Sequence, residues 1–340
     1  MQVRITLKKV EHQFSAEPGE RLLYAGLRHG VPLAYECATG TCGTCKAVRV
    51  TGTIKNLWLD APGRPDHGRE VEALLLCQSC AESDCTLDGS PASTTRPRPQ
   101  TLPSYFEAHI AEIASLTADV CLLTLSLHRP FHFEAGQFVL FSVDNLSGFR
   151  AYSMVEGYAT SRPSFIIKRK PGGAISDWVF ERATAGAPLR LFGPLGVATL
   201  RPETDGDLFL LAGASGLSMA FSVLDAAARN GHLARHRADV IFGVRRAADL
   251  FLVDRLAATG AVVTLALSDE ADVALVRRSF PDVRVMSGFV HEVAAACLPT
   301  TTSNTIAFLA GPPPMIDACL RHLVVGARIP PTRIRYDKFS

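Results

Sequence analysis

The sequence predicts a multidomain chain in which a small α+β unit is followed by an antiparallel β-barrel and then by a parallel α/β unit. Three observations predict it. Residues 1–90 open with two short alternating runs and a helix-like stretch before a cysteine-rich loop. Residues 104–201 carry several β-like runs punctuated by Gly, Pro and Asn. Residues 202–340 alternate apolar strand-like runs with helix-like ones.

In the first unit, VRITL and the stretch around EHQF predict a hairpin, and RLLYAGLRHG predicts a helix. KAVRVTGTI alternates again after the cysteine loop. The segment SPASTTRPRPQTLPS combines Pro, Ser, Thr and Arg with almost no apolar residue, so residues 91–103 are expected to be a linker. In the second unit EAHIAEIAS, VCLLTLSL, QFVLFSV and SFIIKRK are the barrel strands. In the third, LFLLAG precedes SMAFSVLDAAARNG, ADVIFGV precedes ADLFLVDRLAATG, and TIAFLAG precedes PPMIDACLRHLVVGA, with AVVTLAL as a further strand.

The chain has 340 residues, 47% of them hydrophobic and 20% charged, with a formal net charge of +2. That is the composition of a core-forming protein, and its charge is too small and too dispersed to make nucleic acid or an anionic membrane the main partner. The N-terminus lacks a long apolar segment with a small-residue cleavage site, so a cytoplasmic protein is expected. The uncharged run from Leu208 to Leu224 is short for a membrane span and is interrupted by Gly213, Ser215, Gly216 and Ser218. Strand, glycine turn and helix describe it better.

Six of the nine cysteines lie between Cys37 and Cys85, which in a reducing compartment points to metal or redox chemistry rather than disulfides. Cys37, Cys42 and Cys45 form C-x4-C-x2-C, and Cys77 follows at a distance, the plant-type [2Fe-2S] spacing. Two bridged irons need four thiolates, and three can come from one tight loop only where small residues let backbone N–H groups turn toward sulfur. Gly40 and Gly43, with Ala38, Thr39, Thr41 and Thr44, are those small residues. A zinc knuckle from Cys42/Cys45 and Cys77/Cys80 competes, but it leaves Cys37 idle. Cys80 and Cys85 fall outside the spacing and read as structural.

Arg150-Ala151-Tyr152-Ser153 follows a strand-like run, and Ile167-Lys168 leads into Pro171-Gly172-Gly173-Ala174-Ile175-Ser176. An arginine, a hydroxyl and glycine-rich amides suit a flavin diphosphate, while a tyrosine can pack on the flat ring. Farther on, Gly213-Ala214-Ser215-Gly216 between a strand and a helix would point amides at a pyrophosphate. Gly311 and Pro312 open a second strand-to-helix turn, which could line a nicotinamide pocket. Two ordinary sheet turns are the competing reading of that pair.

With those motifs in order, the chain resembles the NAD(P)H-dependent ferredoxin-type reductase components of bacterial multicomponent aromatic-ring oxygenases, over essentially its whole length. Asn56-Leu57-Trp58, Asp60-Ala61-Pro62-Gly63, Ser287-Gly288-Phe289-Val290-His291-Glu292 and Tyr336-Asp337-Lys338-Phe339 look most like toluene and xylene monooxygenase reductases; naphthalene dioxygenase reductases are also similar. The resemblance implies a plant-type ferredoxin domain of β-grasp fold over 1–90, an FAD-binding barrel over 104–201 and an NAD(P)H-binding α/β domain over 202–340. It implies that Cys37, Cys42, Cys45 and Cys77 hold the metal. Arg150, Tyr152, Ser153, Ile167, Lys168, Gly172, Gly173, Ile175 and Ser176 would bind FAD, and Gly213, Gly216, Gly311 and Pro312 the dinucleotide. Tyr152, Ser153 and Phe339 would stand at the reacting ring, with no general acid or base assigned.

The implied activity is that of an NAD(P)H-dependent oxidoreductase. Electrons pass from NADH through FAD and the cluster to an oxygenase component or an intermediate ferredoxin in aromatic hydrocarbon catabolism. NADPH stays open because Arg245 and Arg246 could accept a 2′-phosphate. Two departures stand out: Ala214 replaces a glycine of the family's nucleotide turn, and Ala310 replaces a cysteine before Gly-Pro-Pro. An electron-carrying module without flavin is one alternative. A stand-alone reductase of a ferric chelate or a deoxysugar intermediate is the other.

Overall fold

The computed structural model describes residues 1–64, 72–92, 101–269, 271, 273–298 and 302–338. Three principal sheets organise the chain. The first has the strand order Val10–Ser15, Gln2–Leu7, Cys85–Gly89, Lys46–Thr51, Ala73–Leu75, with the helix Leu22–Arg28 packed on it. Gln2–Leu7 pairs antiparallel with Val10–Ser15 and parallel with Cys85–Gly89, the pairing of a β-grasp domain. Alternation explains the facing: Val3, Ile5 and Leu7 are buried, whereas Gln2 and Arg4 are exposed.

The second sheet is antiparallel with six strands, ordered Arg150–Ser153, Phe138–Ser142, Pro188–Leu195, Ser104–Ser115, Val120–Ser126, Ser164–Lys168. A bridge between Met154 and Phe165 joins its two edges, so the sheet nearly closes into a barrel. Its filling includes Leu123, Leu125, Phe141, Phe165 and Leu191, all fully buried. The helix Ala174–Glu181 packs Ile175 and Val179 into that core. The sequence pattern did not separate this helix from the glycine-rich segment before it.

The third sheet is parallel, ordered Arg284–Ser287, Val262–Leu267, Ala238–Val244, Asp207–Gly213, Thr305–Gly311, Ile334–Lys338. Both faces are covered. Leu208, Leu210 and Ala212 point to the side packed by Leu217–Arg229, whereas Phe209 and Leu211 meet Val290–Cys297 and Pro313–Arg321. A strand buried on both sides has a continuous apolar run, as LFLLAG does. Two elements depart from the expected pattern. ADLFLVDRLAATG is not one helix but a turn at Ala247–Asp249 and a short helix Val253–Ala257, broken where Leu252 takes a left-handed φ of 53°. The chain end adds Ile334–Lys338 as an edge strand, which five residues of mixed polarity did not announce.

The units share buried surfaces. Phe138, Leu140, Phe192 and Leu195 of the barrel belong to the same core as Leu22, Tyr24 and Cys77 of the first unit. On the other side the helix Leu217–Arg229 lies against the barrel. Ser222 Oγ accepts from Gly136 N at 3.1 Å and donates to Glu156 O at 2.6 Å, and Ser218 Oγ accepts from Ile166 N at 3.2 Å. Among the described residues no helix is long and apolar enough to cross a membrane.

Candidate redox site

The loop carrying Cys37, Cys42 and Cys45 is shaped by left-handed residues: Ala38 at φ 55°, Gly40 at 101° and Gly43 at 76°. Such values turn successive amides to one side, and they cost little at glycine. Thr39 N and Cys42 N donate to Cys37 Sγ at 3.4 Å, and Thr44 N donates to Cys42 Sγ at 3.5 Å. A second segment closes the loop from outside, with Gly63 N donating to Gly40 O at 2.9 Å. A Cβ on Gly43 would meet Gly63 O at 2.7 Å, so glycine is required at that contact.

Cys77 enters from the turn Leu76–Gln78, and its Sγ lies 3.2 Å from Cys45 Sγ. The four sulfurs therefore form two pairs, Cys37 with Cys42 and Cys45 with Cys77. Within each pair one thiol shares its proton with the other: hydrogen bonding from Cys42 lowers Cys37 to about 4, while the bond to Cys37 raises Cys42. The hydrogen bond between Cys45 and Cys77 likewise lowers Cys45 and raises Cys77. Among the described residues no three His, Cys, Asp or Glu side chains converge as a single metal ion would need. Two thiolate pairs with inward amides fit a two-iron cluster better than one tetrahedral zinc. Cys80 stands apart, donating to Gly19 O at 3.1 Å, and Cys85 is buried in the first unit's core.

The predicted flavin residues lie together on neighbouring barrel edges. Arg150, Tyr152 and Ser153 occupy one edge strand, Ile167 and Lys168 the other, and Gly172 to Ser176 follow directly. Ser153 Oγ is buried without a hydrogen-bond partner, a cost that a ligand acceptor would relieve. Gly173 precedes the helix Ala174–Glu181, whose first amides have no side-chain cap, and a Cβ there would meet Lys170 O at 2.8 Å. Uncapped amides behind a glycine suit a diphosphate. These observations fit FAD. Tyr152 packs on Phe141 at 4.7 Å, and burial raises its phenol above the ordinary range. Ile167 and Ile175 direct their side chains into the barrel core, leaving only backbone for a ligand, and the Ser176 hydroxyl closes the Lys170–Gly173 turn.

At the C-terminal ends of the parallel strands a cleft of about 430 Å³ is lined by Gly213, Ala214, Arg245, Phe251, Pro312 and Met315, with Lys168 reaching in from the barrel. Carboxyl ends of parallel strands are where dinucleotides bind in such sheets. Gly216 and Gly311 lie at close contacts: a Cβ on Gly216 would lie 2.1 Å from Ala310 O, and one on Gly311 would lie 2.8 Å from Met315 Cε. Ala310 is fully buried in the sheet. Arg245 and Arg246 both bond Asp269 Oδ2, at 3.3 and 2.9 Å. Their guanidinium groups hold the Asp269 carboxyl below its usual range, Arg246 contributing most. Phe251, Asp249 and Ser268 were missed from sequence, because only the sheet brings their loops together. Phe339 lies outside the described residues.

Residues 5–82 match the family model of the 2Fe-2S iron-sulfur cluster binding domain. The chain is 33% identical over 333 residues to a ferredoxin–NAD(P)(+) reductase of Metapseudomonas resinovorans, covering 94% of this chain and 95% of that protein. It is 32% identical to the ferredoxin–NAD(+) reductase component of an alkene monooxygenase system of Xanthobacter autotrophicus, covering 96% and 97%. The solved ferredoxin reductase in carbazole 1,9a-dioxygenase superposes with a TM-score of 0.84 at 30% identity, covering 100% of this chain and 99% of that one. The chain thus belongs to the ferredoxin–NAD(P)(+) reductase family, oxidoreductases whose cofactors are a [2Fe-2S] cluster, FAD and NAD(P)H.

Proposed function

We propose that this chain is the reductase of a bacterial oxygenase system, taking electrons from NADH and delivering them singly to an oxygenase component or an intermediate ferredoxin. The observation that carries the reading is the paired arrangement of four sulfurs, three on a loop with inward amides and Cys77 from the turn Leu76–Gln78, packed through one core onto the flavin barrel. In this reading residues 1–90, 104–201 and 202–340 are the ferredoxin, FAD and NAD(P)H domains, joined by a linker over 91–103. The strand ends at Gly89 and Leu195 and the strand starts at Ser104 and Asp207 are compatible with that division.

Bound FAD and the [2Fe-2S] cluster supply the conversion from two-electron to one-electron transfer. The chain's residues hold and orient. Cys37 with Cys42, and Cys45 with Cys77, are the thiols that would hold the cluster. Arg150, Ser153 and the amides at Gly172 and Gly173 would hold the flavin diphosphate and ring edge, while Tyr152 would pack at the ring. Gly213, Ala214 and Pro312 form the dinucleotide floor, and Lys168 links the cleft to the flavin strand. NADH is the preferred donor in this reading, because Asp269 already neutralises the two arginines that a 2′-phosphate would seek.

Leu57, Trp58 and Leu59 are exposed at 41%, 36% and 62% and lead into the segment bonded to the cluster loop. Together with the exposed Cys42 they are the proposed docking face for the acceptor protein. The range of systems served by the relatives, from carbazole to an alkene, leaves an aromatic hydrocarbon as the proposed rather than the necessary target. A cytoplasmic location goes with these reducible thiols.

The test is a partition of acceptors in the purified holoprotein. In C77S, NADH-dependent reduction of ferricyanide, which can draw directly on flavin, should persist, whereas cytochrome c reduction should fall at least about tenfold. NADPH should give a lower kcat/KM than NADH in the unaltered protein. Cytochrome c reduction unchanged in C77S would contradict the electron route, and a preference for NADPH would contradict the role given to Asp269.

A further inference from the structure

Arg21 is a cation in an unusual place. It is only 7% exposed, immediately precedes the helix Leu22–Arg28, and makes no ion pair among the described residues. Its neighbour Glu20 is committed to Arg28, at 2.8 and 2.9 Å. The Arg21 guanidinium lies over the Phe149 ring at 4.6 Å and the Tyr24 ring at 5.6 Å, and Nη1 donates to Tyr24 Oη at 3.2 Å. Ring faces and a phenol hydroxyl offset part of the desolvation of a buried charge, but they carry no formal negative charge. A compensating anion is called for.

The surroundings identify it. Arg21 forms a backbone bridge with Cys80, three residues beyond Cys77, and the helix it introduces packs on the turn Leu76–Gln78. Tyr24 Oη, which accepts from Arg21, donates in turn to Ala38 O at 2.9 Å, next to Cys37. The buried guanidinium is thus tied to both segments that hold the cluster. Two ferric ions, two sulfides and four thiolates leave the oxidised cluster doubly negative, and one added electron makes it triply negative.

We propose that Arg21 is the electrostatic partner of the [2Fe-2S] cluster and tunes its potential upward, favouring the reduced state and so the passage of each electron from flavin to cluster. The inference rests on the cluster assignment made above. A fixed positive charge stabilises the reduced form more than the oxidised form, because the reduced form carries one more negative charge. The electron comes from flavin reduced by NADH and leaves to the acceptor protein, so Arg21 changes an equilibrium and is itself unchanged. Phe149 directly precedes Arg150 of the flavin strand, and Tyr24 stacks on Phe192 of the barrel at 4.8 Å. The same side chain that biases the cluster therefore also sits on the seam between the two cofactor units.

The experiment is a redox titration of the loaded protein followed by electron paramagnetic resonance, on the unaltered chain and on R21K, R21Q and R21M. R21Q and R21M should make cluster reduction at least about tenfold less favourable, about 59 mV lower, while R21K, which keeps the charge, should stay near the unaltered value. The unfolding midpoint is a second readout. R21M should lower it in the loaded protein and leave it unchanged or raised in protein stripped of the cluster, where the charge has lost its anion. Neutral variants with an unchanged potential, or R21K shifted as far as R21M, would overturn the proposal. Failure of both neutral variants to fold, loaded or stripped, would make Arg21 a structural residue and overturn it as well. Absence of any cluster signal in the unaltered protein would instead overturn the assignment of the four cysteines.

Discussion

Ala214 holds a φ of 47° in the turn that lines the proposed dinucleotide cleft, a conformation that costs a Cβ-bearing residue roughly 1–2 kcal/mol. Glycine there would remove that strain but add unfolded-state freedom worth about 0.4–1 kcal/mol. The strain is the larger quantity. A214G should therefore raise the urea midpoint by the equivalent of about 0.5–1 kcal/mol and lower KM for NADH by admitting closer backbone approach. A lower midpoint would show that no strain resides at this alanine. Ala310, the other departure from the family pattern, has a different meaning. It is buried where its backbone carbonyl would meet any side chain on Gly216, so it is the lack of a side chain at Gly216 that serves the crossing of strand and helix.

Residues whose chemistry depends on local spacing were legible in the sequence. Cys37, Cys42 and Cys45 fall within one loop, and the small residues between them have few other uses. Arg21 and Tyr24 were not legible, because a buried arginine looks like any helix-start arginine until Phe149, from the next unit, is set against it. Asp269 was hidden for the same reason: its link to Arg245 and Arg246 joins two strand ends, which only the parallel sheet makes neighbours.

At the scale of elements, the helix Leu217–Arg229 has two duties. Its start follows the nucleotide turn, and its flank carries Ser218, Ser222 and Asp225 onto the barrel, where Gly157 N donates to Asp225 Oδ2 at 3.0 Å. A Cβ on Gly157 would meet Ser222 O at 2.4 Å, so this approach is closer than a side chain allows. The contact fixes the cleft against the flavin strand. In S222A, Gly136 N and Glu156 O both lose their partner, at a cost of about 1–3 kcal/mol. The thermal midpoint of the barrel and parallel unit should fall accordingly, and NADH-to-ferricyanide turnover should fall with it. A midpoint unchanged within error would mean that apolar packing alone holds these units. Period-two and helical patterns exposed this helix and the strands of its sheet. They did not reveal the edge strand Ile334–Lys338 or the break at Leu252, since both answer to neighbours rather than to periodicity.

At the scale of the molecule, three units are arranged in one line of contact. The cleft at Gly213 opens against Lys168, the flavin strand adjoins Phe149, and Phe149 meets Tyr24 and Arg21 beside the cysteine loop. In the proposed reading that continuity gives electrons a defined entry and exit, and it requires that the four cysteines hold a reducible cluster fed from NADH. The direct measurement is an anaerobic titration of the purified protein with NADH, followed by visible absorption and electron paramagnetic resonance. The account predicts bleaching of flavin absorption together with the appearance of a paramagnetic reduced-cluster signal. Flavin bleaching with no such signal, in protein that contains zinc in place of iron, would contradict it.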